Sequence, residues 1–163
     1  MVLDQRARRP RQRPAARLRH ARARRLLLWL AVDPHHRGER PDLKDKVALP
    51  DVLIEAHSAS LGMTIYDGSQ FPAAYRGNIF AAEHGSWNRS KRTGYKVIRV
   101  IMEDGAPTGE YEDFVTGFLI NDRTVWGRPA GVTVDRDGAL LISEDGSGTI
   151  WRVTYTGRPA PAQ

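Results

Sequence analysis

Two stretches decide the reading: GNIFAAEHGS at residues 77–86 and GALLISEDGS at residues 138–147. Each runs from a glycine through mostly apolar residues to a glutamate, Glu83 or Glu144, and then to a Gly-Ser turn signal. The likeness extends both ways. Upstream, GMTIYDG (62–68) matches GVTVDRDG (131–138), and downstream, GYKVIRV (94–100) matches GTIWRVTY (148–155). Each copy therefore reads strand, turn, strand, loop, strand.

Alternation of apolar and polar side chains, clearest in 96–100 and 150–154, predicts strands rather than helices. The predicted strands are Leu61–Tyr66, Asn78–Glu83, Tyr95–Ile101, Tyr111–Gly117, Gly131–Val134, Ala139–Ser143 and Thr149–Tyr155. Turn pairs separate them: Asp67-Gly68, Gly77-Asn78, Asp104-Gly105, Asp137-Gly138 and Asp145-Gly146. No segment after residue 50 holds a 3.6-residue period. The expected fold is all-β, a partial β-propeller of about two blades, because four antiparallel strands repeating at about 40–70 residues is the mark of a propeller blade. A propeller closes with typically 4–8 blades. One blade and three strands of another cannot close a ring, so an apolar flank is expected to lie open.

The rest of the chain fits around this body. The 163 residues include no cysteine, which removes disulfides, thiolate metal sites and a cysteine nucleophile. The longest apolar run, Leu26 to Val32, is too short for a membrane helix, so no membrane span is expected. The net charge of +6 is unevenly spread: residues 1–25 carry ten arginines and a single acid, Asp4. Residues 26–163 carry 15 Lys+Arg against 18 Asp+Glu. The body is thus mildly acidic, and specific nucleic-acid binding is not expected of it.

Four segments follow: an Arg-rich non-propeller segment (1–32), a polar connector (33–50), the blades (51–156) and a tail (157–163). Three readings compete for the first. It is a basic arm for an anionic surface, an export segment, or an out-of-frame stretch of GC-rich coding sequence. No small-x-small cleavage site follows its apolar run, so no signal peptide is recognised. It is expected to be disordered or briefly helical at Leu26–Val32. His35-His36 reads as an exposed loop, since no third ligand stands at metal-site spacing.

The copies differ most between their second and third strands. The second copy needs only 144–148 there. The first inserts a loop over 83–94 with His84, Trp87, Asn88, Arg89, Lys91 and Arg92. A hairpin does not require such a loop, and function gathers on loops held by rigid strands. His84 offers an acceptor or base, Trp87 a stacking plane, Asn88 an amide and the cations anion-pairing groups. That set suits a flat, multiply anionic ligand; a solvated basic loop is the plain alternative. Arg128, within Trp126-Gly127-Arg128-Pro129, could clamp a carboxylate or be a surface arginine. His57 reads as a structural histidine, and Glu144-Asp145 as a turn rather than a calcium site.

The runs HSASLGMTIYDGSQFPAAYRGNIFAAEHGSWNRSKRTGYKVIRV and VWGRPAGVTVDRDGALLISEDGSGTIWRVTY resemble the C-terminal part of the glucose/sorbosone dehydrogenase family. Those are sugar dehydrogenases dependent on pyrroloquinoline quinone (PQQ) and built as six-bladed propellers. The resemblance spans roughly Asp33 to Tyr155. It implies a sugar oxidised by hydride transfer to PQQ, with a calcium ion beside the quinone and a histidine base. It also implies a periplasmic or secreted location, and missing N-terminal blades as the partner of these two. His84, Trp87, Asn88, Arg89, Lys91 and Arg128 would belong to the cofactor pocket. The base and most calcium ligands would come from earlier blades, so no catalytic or metal-binding residue is assigned in this chain. The chain is expected to be inactive alone; a non-catalytic propeller-type interaction module is the alternative.

Overall fold

The computed structural model describes Val2–Asp4 and residues 50–157. Among the described residues eight strands appear: β1 (Val2–Asp4), β2 (Ser60–Ile65), β3 (Ile79–Glu83), β4 (Lys96–Glu103), β5 (Ala106–Val115), β6 (Pro129–Val134), β7 (Leu140–Glu144) and β8 (Ile150–Thr154). One 3-10 turn, Ala73–Tyr75, is the sole helical piece among the described residues. The strands make two antiparallel sheets, ordered β2-β3-β4-β5 and β1-β8-β7-β6. These are two propeller blades, as the repeat predicts.

The second blade draws its fourth strand from the other end of the chain. Its own repeat supplies only three strands, which leaves the outer edge of β8 unpaired. Val2–Asp4 takes that edge, with Val2, Leu3 and Asp4 opposite Thr154, Val153 and Arg152. The sequence reading gave this segment no strand. The predicted turn at Leu26–Val32 and the His35-His36 loop lie outside the described residues.

Strand alternation sends side chains to two faces. In the first blade Phe80, Ala82 and Val97 face the second blade, where they meet Val132, Leu140, Ile142, Trp151 and Val153 in the larger core. The innermost strands, β2 and β6, approach closely enough that Gly62 has no room for a side chain. A Cβ there would lie 2.8 Å from the Ala130 carbonyl oxygen and from Gly131 Cα. Tyr66 ties the blades at the far end from the loops discussed below. Its hydroxyl donates to the Gly138 carbonyl (2.8 Å) and accepts the Phe71 N–H (2.9 Å).

The opposite face of the first blade carries Ile79, Ala81, Ile98 and Val100. The sequence suggests that such a flank lies bare, but these four are buried. Val52 is buried among them and Ile54 packs alongside, so the chain ahead of β2 folds across the face. The outer face of the second blade bears Thr133, Ser143 and Arg152 beside Leu141 and Ile150 and is largely polar.

Candidate functional site

Because the strands alternate in direction, β3, β5 and β7 end where β2, β4, β6 and β8 begin. The segment before β2, the 84–95 loop, the 116–128 connection and the short 145–149 turn therefore share one end of the blades. All the residues singled out in the sequence for a cofactor sit at this end.

The long loop is pinched at its neck. Gly85 (φ +98) and Gly94 (φ +80) lie so close that a Cβ on Gly94 would be 2.7 Å from Gly85 Cα. A Cβ on Gly85 would strike the Tyr95 ring at 2.4–2.5 Å. Only glycine allows the buried Tyr95 to lie flat over the neck. Just beyond, Ser86 and Thr93 close a second rung: Ser86 N–H donates to the Thr93 carbonyl (2.9 Å), and Thr93 N–H to Ser86 Oγ (3.0 Å). The Tyr95 hydroxyl donates to the Ser86 carbonyl and accepts from Arg92 (3.1 Å).

Trp87 stands out from this neck, 83% exposed. Asn88 and Lys91 are exposed on the same tip. Arg89 turns back and donates to Glu55 Oε1 and to the Ala56 carbonyl, both at 3.1 Å, so part of its charge is already matched. Glu55 is held below the ordinary carboxylate pKa, first by the Thr93 side chain and further by Arg89, against a smaller opposing effect of burial. His84 does not join the loop tip. Its ring reaches the second blade, with Nε2 at 2.9 and 3.0 Å from the two carboxylate oxygens of Asp145.

Arg128 sits across the blade boundary from the loop neck, its guanidinium 5.9 Å from the centre of the Tyr95 ring. Its Nε is buried and has no hydrogen-bond partner among the described residues. Its backbone is fixed at both ends of the residue: its N–H donates to Glu144 Oε2 (3.2 Å), and its carbonyl accepts the Asp145 N–H (3.2 Å). The connection leading to it carries a narrow hairpin, with Leu119 bridged to Val125. Trp126 caps that hairpin, donating from Nε1 to the Gly117 carbonyl and packing on Phe118 and Trp151.

The two repeat glutamates have opposite surroundings. Glu144 accepts N–H groups from Arg128, Gly146 (2.9 Å), Ser147 (3.0 Å) and Thr149 (3.1 Å), and the Ser147 hydroxyl as well. Burial alone would raise its pKa, but these donors outweigh it and hold the carboxyl below its ordinary range. Glu83 has lost the tight turn to the insertion. Fully buried, it receives among the described residues only the Ser60 hydroxyl, at 2.7 and 2.8 Å. Burial pushes its pKa up, against weaker lowering by Ser60 and by Lys96.

A buried guanidinium nitrogen with a free hydrogen-bonding valence fits an anionic group such as a quinone-borne carboxylate. Among the described residues no group of three or more His, Asp or Glu is placed to hold a metal ion. In the sequence Glu83 reads only as the end of a strand, and Asp145 as part of a turn rather than a calcium site. The signal was present in their equivalence to Glu144 and His84 across the repeat. Among the described residues no helix is long and apolar enough to cross a membrane.

The TrAA12-like family model matches residues 24–156. A protein of Borreliella burgdorferi is 40% identical over 114 residues, covering 69% of this chain and 30% of its own. A pyrroloquinoline quinone-dependent pyranose dehydrogenase of Coprinopsis cinerea is 29% identical over 131 residues, covering 68% of this chain and 17% of its own. The solved holo form of the PQQ domain of the Coprinopsis cinerea pyranose dehydrogenase superposes with a TM-score of 0.54 at 26% identity, covering 68% of this chain and 30% of that one. The chain thus spans less than a third of the length of these relatives.

Proposed function

The chain belongs to the TrAA12-like family, and from that premise we propose that it forms the C-terminal wall of a PQQ pocket in a sugar oxidoreductase. The observation that carries the reading is the buried, unpartnered Nε of Arg128 beside Tyr95, in a chain similar to PQQ-dependent relatives. PQQ, when bound, supplies a two-electron acceptor for a hydride from a sugar hydroxyl or aldehyde. This chain's residues bind and orient. Arg128 pairs with a carboxylate, its backbone held by Glu144 and Asp145 so that the side chain is preorganised. Asn88 and Lys91 meet the ligand from the loop tip. Arg89, already engaged with Glu55, contributes less, and the exposed Trp87 offers a stacking plane.

No base or calcium ligand is assigned here. Those roles, with the remaining blades, belong to the rest of the propeller, and the enzyme acts outside the cytoplasm, in the periplasm or secreted. The test is a titration of PQQ, with and without calcium, into this chain and into a form extended by the blades its relatives carry. The extended form is expected to bind tightly and this chain weakly or not at all. In the extended form Arg128→Ala is expected to weaken binding about ten- to a hundredfold, the scale of one charge-assisted contact. Unchanged affinity would remove Arg128 from the site. Tight binding by this chain alone would overturn the division of the pocket, and no binding by either form would favour a non-catalytic interaction module.

A further inference from the structure

His84 and Asp145 occupy the same position in the two copies of the repeat, each following the glutamate that ends the second strand of its blade. In the fold they meet across the blade boundary, Nε2 lying 2.9 and 3.0 Å from the two Asp145 oxygens. The imidazole is largely covered, with 18% of its side chain exposed, while the aspartate is 60% exposed. An ionised carboxylate only accepts hydrogen bonds, so the proton in this contact belongs to Nε2. In the neutral ring Nδ1 is then left as an acceptor.

The backbone of the same aspartate is anchored as well, through its N–H to the Arg128 carbonyl. Its neighbour Glu144 accepts the Arg128 N–H. One short turn thus holds both Arg128 and the ring at the root of the long loop. We infer that Asp145 is the positioning residue of His84, fixing its proton on Nε2 and presenting Nδ1 as an acceptor, so that His84 serves a hydroxyl or N–H donor rather than an anion. That a ligand uses this ring rests on the cofactor-pocket reading above; its orientation by Asp145 does not.

Nitrogen-15 NMR of the imidazole rings in the present chain tests it, at a pH where imidazole is neutral. His84→Gln identifies the signal among the five histidines. The parent is expected to show a single Nε2–H tautomer at His84. Asp145→Ala is expected to replace it by an averaged mixture. Asp145→Asn, whose amide can donate to Nε2, is expected to shift the population toward Nδ1–H, as a carboxamide does to an aspartate-held histidine. A mixture in the parent, or an unchanged tautomer in Asp145→Ala, would overturn the inference. PQQ plays no part in these spectra, so a failure of the cofactor reading and a failure of this one are told apart.

Discussion

Glu83 and Glu144 stand at the same place in two copies of one repeat, yet their replacement by glutamine should act in opposite directions at neutral pH. Oε2 of Glu144 alone receives the N–H groups of Arg128 and Gly146, Oε1 alone receives the Thr149 N–H and the Ser147 hydroxyl, and the Ser147 N–H reaches both. Whichever oxygen becomes an amide nitrogen, two donors lose their acceptor and face another donor. A buried unsatisfied donor costs about 1–3 kcal/mol, so Glu144→Gln should destabilise by about 2–5 kcal/mol. At about 4 °C or more per kcal/mol for a body of this size, the melting point should fall by roughly 10–20 °C.

Among the described residues Glu83 has one donor, the Ser60 hydroxyl, which lies beside both carboxyl oxygens and can donate to a glutamine carbonyl while accepting from its amide, and the substitution removes a carboxyl whose ionisation burial opposes. A gain on the order of 0.5–2 kcal/mol is expected. The two carboxyls also differ in acid. The raised pKa of Glu83 means that its contribution is fully present below the unfolded value and is lost as pH rises through the folded one. The advantage of Glu83→Gln should therefore shrink as pH is lowered. Glu144 contributes above the unfolded value and loses its contribution as pH falls through its lowered one. Thermal and urea melts of both variants at pH 7.5 and near pH 4 measure this. Equal destabilisation by both at pH 7.5, or a Glu83→Gln effect independent of pH, would refute the argument.

Gly85→Ala combines a left-handed backbone with a clash against Tyr95. It should cost about 2–4 kcal/mol and change tyrosine fluorescence; a wild-type melt would count against the neck geometry. Val52→Asp places a charge among Ile79, Ile98 and Val100. It should lower stability by several kcal/mol and increase binding of a hydrophobic dye, and no change in dye binding would show that the segment does not cover that face. In the extended propeller Lys91→Ala should weaken PQQ binding less than Arg128→Ala, because ammonium makes no bidentate contact; a larger effect at Lys91, read by the same titration, would reverse their ranking.

The repeat made the seven strands of the body legible, because alternation and turn pairs are local signals. Six agree with the structure to within one or two residues. The sequence pattern starts the outermost strand of the first blade at Tyr111, whereas β5 begins at Ala106. Pro107 and Gly109 hide its first half. They are tolerated because β5 is an edge strand, entered directly from the tight Asp104-Gly105 turn at positive φ. At the site, the expanded loop and Arg128 were legible as chemistry and position. The pairings were not. Arg89 with Glu55 and His84 with Asp145 join residues 34 and 61 positions apart, and no local periodicity encodes which loops a blade boundary brings together. The burial of Ile79 and Ala81 escaped for the same reason, since it depends on where residues 52–54 come to lie.

The double closure at Gly85–Gly94 and Ser86–Thr93 makes Trp87–Arg92 a cassette whose ends are already joined. Strand register is decided below the neck, and of the six residues above it Arg89 and Arg92 reach back, to Glu55 and to the Tyr95 hydroxyl, through side chains alone. A family built this way can diverge in what it recognises by rewriting a tip while the scaffold stays under separate selection. An engineer can use the same partition: exchanging 87–92 for other tips should leave the β3–β4 amide pattern in NMR unchanged while altering which ligand is retained.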